Sequence, residues 1–183
     1  MSAYILCQLL TKLHFKDRDK IGGGVFILVK ENMIAIEQED LSTNCEIIWI
    51  KLKLKKAKEI LISSFYMPHR NLDDLNEFDR SLKLANPRGT ENVLVCGDFN
   101  CPDINWNFGY TYDSAQNKTT QDRLIDISND NSLQQMQEIP TRDGNVLDLT
   151  FSTNPSLIRN LNNIPGLADH EAIIVDSYVR PIF

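Results

Sequence analysis

The sequence predicts an α/β protein, and two patterns in its 183 residues support that class. Short apolar runs, many of them rich in valine and isoleucine, indicate strands along most of the chain. Two other segments, which begin near residues 71 and 119, repeat apolar side chains every three or four positions, as helices do. Strands with helices between them define the α/β class, and the chain length suits one domain.

The first half of the chain predicts consecutive strands. Residues 25–29 form a continuous apolar run after three glycines, which is typical of a strand buried on both faces. Residues 34–37 predict the next strand, and residues 46–54 alternate toward their end as a half-buried strand does. After a lysine-rich turn, residues 60–66 predict a fourth strand. Together these segments indicate a meander.

The second half predicts two helices and further strands. Asn71 caps the first helical repeat, which Pro87 stops. A strand at 93–97 is followed by a loop without periodicity over 101–118, which we expect to be functional. Thr119 or Thr120 is the predicted cap of the second helix. Beyond it the pattern predicts strands at 134–137 and 147–151, then a loop, then a last strand at 172–178.

Composition limits the classes of function. The chain is 42% hydrophobic and 24% charged, which is typical of a globular protein and not of a disordered one. Its net charge of −6 argues against a strong non-specific DNA-binding surface. A DNA substrate is not excluded, because a metal site without its ion is itself acidic. DNA affinity would have to come from local basic residues or from a neighbouring domain.

The cysteines and the N-terminus indicate a reduced, intracellular protein. Cys7, Cys45, Cys96 and Cys101 lack the spacing and the accompanying histidines of a zinc site, so we expect incidental or buried thiols. The apolar stretch at residues 3–10 is too short to span a bilayer and lacks the flanks of a signal peptide. We therefore predict no membrane association.

Two polar clusters have the residue types of a metal-assisted hydrolytic site. Asp98 and Asn100 follow the strand at 93–97 directly, where an α/β sheet presents its ligands. Asp169 and His170 stand just before the last strand. Carboxylates hold a hard cation, an amide orients groups, and imidazole stabilises or protonates developing charge. Each cluster alone also suits an ordinary capping turn or surface loop.

Two more side chains are candidates for the same chemistry. Asp148 stands inside an apolar strand, where a buried carboxylate would need a histidine or a metal as partner; the alternative is that it faces solvent. Tyr66 closes the strand at 60–66 and either bonds a phosphate oxygen or packs in the core. The glycines at 22–24 lack the residues of a phosphate loop, and the lysines at 51–58 suit a solvated turn better than a nucleic-acid patch.

In combination the motifs resemble one family. They are Gly-Gly-Gly-Val at 22–25, Phe-Tyr-Met-Pro at 65–68, Gly-Asp-Phe-Asn at 97–100, Leu-Asp-Leu at 147–149 and Ala-Asp-His at 168–170. Their order and spacing resemble the endonuclease domain of non-LTR retrotransposons, in the endonuclease/exonuclease/phosphatase superfamily. Lys-Asp-Arg-Asp at 16–19 and Pro-Thr-Arg at 140–142 also fit, especially with the arthropod-type elements. The resemblance implies an α/β sandwich of two mainly antiparallel or mixed sheets.

The resemblance also implies catalytic roles for the matching positions. Asp98 would bind or activate the attacking water, and Asn100 would orient the water or the phosphate. His170, held by Asp148, would stabilise or protonate the phosphoryl centre. In the family, this site nicks one DNA strand with Mg²⁺ and leaves a 3′-hydroxyl that primes reverse transcription.

Three further positions carry implied binding roles. Asp169 would lie in the shell of a Mg²⁺ or Mn²⁺ ion, and Tyr66 would contact the scissile phosphate. Thr141 corresponds loosely to a position near bound DNA. The implied partners are a DNA substrate and the reverse transcriptase domain of the parent element, with a nuclear location if the protein is functional.

Two departures from the family pattern lower the expected activity. Family members carry an asparagine strand and then a metal-binding glutamate, and nothing before Gly22 resembles either. Ala168 replaces the serine that usually precedes Asp-His, which removes a hydroxyl able to bond a phosphate. We therefore expect residues 1–183 to form one N-terminally incomplete domain, without the first strand or strands and a helix, that is weakly active or inactive.

Two other functions stay open. The same fold without its chemistry would be a non-catalytic binding domain, and the absent glutamate motivates that alternative. A superfamily phosphoesterase that acts on small molecules or lipids is the other, although Phe-Tyr-Met-Pro and Leu-Asp-Leu resemble the retroelement branch more closely.

Overall fold

The computed structural model describes residues 11–16, 24–166 and 168–182. Cys7, the apolar stretch at 3–10, the Asp-Arg-Asp at 17–19 and the glycines at 22 and 23 lie outside these residues. The strands are β1 (Thr11–Lys16), β2 (Val25–Lys30), β3 (Ala35–Glu37), β4 (Glu46–Leu52), β5 (Ile60–Tyr66), β6 (Asn92–Asp98), β7 (Ile104–Asn105), β8 (Tyr110–Thr111), β9 (Gln134–Gln135), β10 (Asp148–Ser152), β11 (Ile158–Ile164) and β12 (Ala172–Ser177). The helices are α1 (Leu72–Ala85) and α2 (Lys118–Asp130), and 3₁₀ turns lie at Glu39–Leu41 and Pro155–Leu157.

A six-stranded mixed sheet is the centre of the fold. Its strand order is β3-β4-β5-β6-β10-β9. Only the β5–β6 pair is parallel among these strands, and α1 forms the crossover that a parallel pair requires. The remaining neighbours pair antiparallel. The predicted α/β class is therefore confirmed.

Both helices cover one face of this sheet. Leu75, Phe78 and Leu82 of α1 are buried there with Leu124 and Ile127 of α2. These spacings put each apolar stripe on the side of its helix that meets the sheet. The sheet side chains of the same core include Ile47, Trp49, Phe65, Val95, Leu149 and Phe151.

A buried hydrogen bond fixes α1 to the sheet. The indole N–H of Trp49 donates to the hydroxyl oxygen of Ser81 at 2.8 Å. That hydroxyl in turn donates to the carbonyl oxygen of Leu41 at 2.5 Å. Trp49 and Ser81 are both completely buried, so water cannot replace either bond.

Two hairpins lie on the opposite face of the sheet. In the β1–β2 hairpin, Val25, Ile27 and Val29 are buried against Ile48 and Ile50 of β4. In the β11–β12 hairpin, apolar residues just before β11 and just after β12 pack in a third apolar cluster. This cluster also contains the last residue of β4 and the first residue of β5. The layer opposite the helices is thus made of hairpins. The single-domain organisation of residues 1–183 stays a prediction.

Most predicted elements are confirmed within a few residues, but four of the strands in the described residues were not predicted. No strand was predicted at β1, and β7, β8 and β11 lie in segments that were predicted to be loops. β11 contains three asparagines, which have low strand propensity, and its ladder carries a bulge near Ile158 and Asn160. Pairing with β12 therefore overrides the local preference.

The start of α2 also differs from its prediction. Neither Thr119 nor Thr120 caps the helix; Asn117 does, with a left-handed φ of 56° and no side-chain cap bond. Gln121 fixes the first turn of the helix to the preceding loop, because its buried amide accepts from the N–H of Asp103 and donates to that residue's carboxylate. The same region of the loop contains the short β7–β8 pair. None of the helices in the described part of the chain is long and apolar enough to cross a bilayer.

Candidate active site

Strand register brings three of the predicted residues into one row. Tyr66 of β5 pairs with Asp98 of β6, and Asp98 pairs with Asp148 of β10. Paired residues on neighbouring strands point to the same face of a sheet. Their neighbours in sequence, among them Phe65 and Leu149, are buried under the helices, so the row faces the hairpin layer.

Backbone geometry at the end of β6 sets the position of Asp98. Gly97 precedes it and lies so close to β5 that a Cβ would sit 2.0 Å from the carbonyl oxygen of Phe65. Two residues later, Asn100 adopts a left-handed φ of 50°, which turns the chain back toward the carboxylate. The glycine is therefore required by the close approach of two backbones.

Asn100 orients the Asp98 carboxylate. Its backbone N–H donates to Oδ1 of Asp98 at 3.0 Å, and its side-chain amide donates to Oδ2 at 3.2 Å. The same amide also donates to the carbonyl oxygen of Met67 at 2.8 Å, which ties it to the end of β5. The Gly-Asp-Phe-Asn motif thus forms a compact cap over the row.

His170 and Asp148 form a hydrogen-bonded pair. Nδ1 of His170 lies 2.6 Å from Oδ2 of Asp148, and only 8% of Asp148 is exposed. Of the two alternatives for this strand carboxylate, the structure has the buried one, with histidine as its partner. His170 lies in the segment between β11 and β12, so the pair joins the hairpin layer to the main sheet.

Burial makes Asp98 an unusual carboxyl group. Removal from water, and then the nearby Asp148 carboxylate, raise its pKa from 3.8 to about 6, although the N–H of Asn100 and the His170 side chain oppose the shift. Ligand atoms of Asp98, Asp148 and His170 all lie within 4.8 Å of one another. Two carboxylates confined at this distance favour a cation between them, so this donor set fits a divalent metal.

Asp169 and Thr141 have other contacts. The Asp169 side chain is 51% exposed, and its Oδ2 lies 2.9 Å from Nη2 of Arg142 instead of joining the three-residue cluster. Thr141 is only 1% exposed, and its hydroxyl oxygen accepts from the N–H groups of Leu147 and Asp148. The predicted roles of Asp169 with a metal and of Thr141 near DNA stay predictions.

Tyr66 pairs with Asp98 across β5 and β6, and its side chain also packs in an apolar cluster. Its half-buried ring packs against the cluster formed by β2 and β4. Tyrosine combines an apolar ring with a polar hydroxyl, and the strand register puts this residue next to Asp98. The predicted contact with a scissile phosphate stays a prediction.

Arg142 belongs to the candidate site although the sequence did not predict it. Its guanidinium lies between His170 and Asp169, with Nη1 3.3 Å from Nε2 of the imidazole. A cleft of about 410 Å³ opens beside Asn100, and its wall includes Arg142, Arg70 and His69. The only signal in the sequence was the position of this arginine in the Pro-Thr-Arg motif, which does not indicate what the arginine contacts.

The family follows from this constellation and from the sequence itself. A model described as endonuclease-reverse transcriptase matches residues 60–174, which include the row, the cap and the histidine. The chain belongs to the endonuclease-reverse transcriptase family. It is accordingly a domain of the endonuclease/exonuclease/phosphatase type. A search of curated protein sequences gives no significant match.

Solved structures share the fold at low sequence identity. The endonuclease domain of TRAS1, a telomere-specific non-LTR retrotransposon, is similar with a TM-score of 0.71 and 19% identity, over 92% of this chain and 80% of that one. The human Nocturnin catalytic domain with a bound sulfate anion has a TM-score of 0.61 and 14% identity, over 93% and 72%. An endonuclease/exonuclease/phosphatase family protein from Leptotrichia buccalis has 0.59 and 15%, over 91% and 70%.

Proposed function

We propose that this domain is a metal-dependent endonuclease that nicks DNA, with weak activity. The observation that carries the proposal is the buried cluster of Asp98, Asp148 and His170, with Asn100 bonded to the first carboxylate. A purely structural role for the His170–Asp148 pair would not explain a second carboxylate directly opposite, because like charges opposite each other destabilise a sheet. A hydrolytic site needs both of them.

The chain's own residues supply the groups for hydrolysis of a phosphodiester. Asp98, held by Asn100, accepts a proton from a water molecule, whose oxygen attacks phosphorus. His170, held by Asp148, stabilises the charge that builds on the phosphoryl oxygens or gives a proton to the leaving 3′-oxygen. A P–O bond to water forms, the P–O3′ bond breaks, and the products are a 5′-phosphate and a 3′-hydroxyl.

A Mg²⁺ or Mn²⁺ ion fits the donor set of this cluster. Asp98 would hold it, and Asp148 and His170 lie within reach of the same position. Such an ion supplies Lewis-acid stabilisation of phosphoryl oxygens. The raised pKa of Asp98 supports this part of the proposal, because a buried carboxylate beside a second one gains most from a neighbouring cation.

DNA is the substrate that the family and the cleft support together. A non-specific DNA-binding surface is not expected of a chain with a net charge of −6. The DNA phosphates must therefore be bound by a few basic residues near the site. The cleft beside Asn100 offers Arg70, Arg142 and His69 for that purpose. Contacts of this kind position a phosphate without reading its sequence.

Nicking of a supercoiled plasmid tests the proposal directly. The purified chain is incubated with Mg²⁺ or Mn²⁺, with EDTA as the metal-free control. Asp98→Ala and His170→Ala should each lower the nicking rate by about a hundredfold or more, because each removes a group that moves or stabilises charge. Asp126→Asn, an exposed position on α2, is the matched control and should leave the rate unchanged.

Three results would argue against the proposal in different ways. Nicking that survives in both alanine variants would show that another nuclease or another site is responsible. A folded wild-type protein that binds DNA but never nicks it would favour the non-catalytic alternative. Hydrolysis of bis-nitrophenyl phosphate without any nicking of plasmid would favour a small-molecule phosphoesterase.

A further inference from the structure

Among the described residues, the side chain of Arg142 contacts three polar side chains, two of which are predicted site residues. Nη2 lies 2.9 Å from the carboxylate of Asp169, and Nε lies 3.4 Å from that of Asp143. Nη1 lies 3.3 Å from Nε2 of His170. The guanidinium is thus held by two carboxylates and directed at the imidazole by its third contact.

These contacts determine the proton positions on His170. A guanidinium carries only donors, so Nε2 of the imidazole must accept from Arg142. While this contact lasts, Nδ1 donates to the carboxylate of Asp148 at 2.6 Å, and Nε2 can carry a proton for the leaving oxygen only once Arg142 has turned to the phosphate. Arg142 and Asp148 therefore fix the imidazole from both sides, and the guanidinium covers the nitrogen that a phosphate would approach.

Folding stability does not explain this arrangement. The side chain of Arg142 is 39% exposed and that of Asp169 is 51% exposed, and ion pairs in such positions add little to stability. The side chain also forms part of the wall of the cleft beside Asn100. A planar guanidinium presents paired donors with the spacing of phosphate oxygens, which an ammonium group does not.

We propose that Arg142 is a further catalytic residue, which hydrogen-bonds a non-bridging oxygen of the scissile phosphate, and that Asp169 is the positioning residue that orients it. The inference rests on the proposed function, because it requires a phosphodiester in the site. On substrate entry the phosphate oxygen replaces Nε2 of His170 as acceptor, while the Asp169 contact stays. Asp169 then acts through Arg142, which is a different role from the metal shell that the sequence resemblance implied.

Steady-state nicking kinetics separate this role from a general contribution to DNA binding. Arg142→Ala should lower kcat about a hundredfold and change KM by less than about threefold, because the contact strengthens as charge builds on the phosphate. The kcat of Arg142→Lys should exceed that of Arg142→Ala by less than about tenfold, since lysine keeps the charge but lacks the planar guanidinium. Millimolar guanidinium ion should restore activity to the alanine variant, and Arg88→Ala, exposed near the other end of β6, is the matched control.

Asp169 is tested by a double-mutant cycle and by metal affinity. Asp169→Asn should lower kcat about tenfold in the wild type and have no further effect in Arg142→Ala, because a residue that acts only through another is silent without it. Calorimetric titration with Mn²⁺ should give the same affinity for Asp169→Asn as for the wild type. Asp98→Ala should bind Mn²⁺ more weakly in the same assay.

Each contrary outcome has a separate meaning. If the wild type nicks and Arg142→Ala behaves like Arg88→Ala, this inference is wrong and the endonuclease proposal stands. A higher KM with unchanged kcat would overturn it by making Arg142 a DNA-binding residue only. Additive effects of Asp169→Asn, with loss of Mn²⁺ affinity, would overturn the positioning role. A wild type that neither binds nor nicks DNA would overturn both proposals.

Discussion

Replacing Asp98 with asparagine should change how the stability of the metal-free protein depends on pH. The carboxyl group is 3% exposed and faces the carboxylate of Asp148 across the β6–β10 pair. Burial and that neighbour raise its pKa from 3.8 to about 6. Folding therefore favours the protonated form, and asparagine imitates that form at every pH.

The magnitude follows from the size of the shift. A change of one pKa unit corresponds to about 1.4 kcal/mol, so a shift from 3.8 to about 6 corresponds to roughly 3 kcal/mol. Because the folded-state pKa is the higher one, the stabilising contribution is fully present below pH 3.8. It is lost as the pH rises to about 6 and stays absent above that value. The wild type should therefore weaken relative to Asp98→Asn over this interval.

Urea unfolding in EDTA, followed by tryptophan fluorescence between about pH 4 and pH 7.5, measures the effect. The quantity of interest is the free energy of unfolding of the wild type minus that of Asp98→Asn. It should fall by about 2.5 kcal/mol between the ends of the range, because pH 4 already lies just above the unfolded-state pKa of 3.8. Asp126→Asn, on the exposed surface of α2, controls for the loss of an ordinary aspartate.

Parallel stability curves for the wild type and Asp98→Asn would refute the reasoning, since they would mean that Asp98 has the same pKa in the folded and unfolded states. Addition of Mg²⁺ supplies a second check. A bound cation favours the charged carboxylate, so it should flatten the wild-type curve and leave that of the asparagine variant unchanged.

Three further predictions concern packing and geometry. Gly97→Ala should destabilise the protein by more than about 3 kcal/mol, or prevent its folding, because the new Cβ would meet a β5 carbonyl oxygen at 2.0 Å; thermal unfolding tests this, and a melting temperature near wild type would contradict the close strand approach. Ser81→Ala should cost about 1–3 kcal/mol in urea unfolding by leaving the Trp49 indole N–H buried without an acceptor. Adding Trp49→Phe should then cost less than the same change in the wild type. Asp148→Asn should slow nicking by about a hundredfold without weakening DNA binding measured by fluorescence anisotropy, because His170 loses the partner that orients it; an unchanged rate would remove this pair from the mechanism.

Most strands, and several residues that the structure brings together in the candidate site, could be predicted because their signals are local. The apolar runs that became β5 and β6 are short and bounded by turn residues, and Asp98 follows one of them directly. Asp148 stood out because a carboxylate inside an apolar strand is costly without a partner. The order of motifs along the chain then indicated the family, which the endonuclease-reverse transcriptase match confirms.

What the sequence could not supply was register and long-range contact. Nothing local indicates that Tyr66 and Asp98 lie on parallel neighbouring strands or that Asp98 faces Asp148. β11 was missed because its asparagines favour turns, and its ladder depends on β12. Arg142 was missed for the same physical reason, since its partners at the imidazole and at Asp169 are remote in sequence.

The division of the site between two layers has a thermal consequence. His170 lies between β11 and β12, whereas both carboxylates of the cluster lie on the main sheet, and in the described residues this hairpin has no strand ladder to that sheet. Single contacts hold it instead, among them the bond from the N–H of Glu171 to the carbonyl oxygen of Thr141 and the His170–Asp148 pair. We predict that these contacts open before the sheet and helices do. An opening free energy of about 1.4 kcal/mol would leave roughly one molecule in ten without its histidine in place. The proposed nicking activity would then be lost at temperatures well below the melting temperature of the protein.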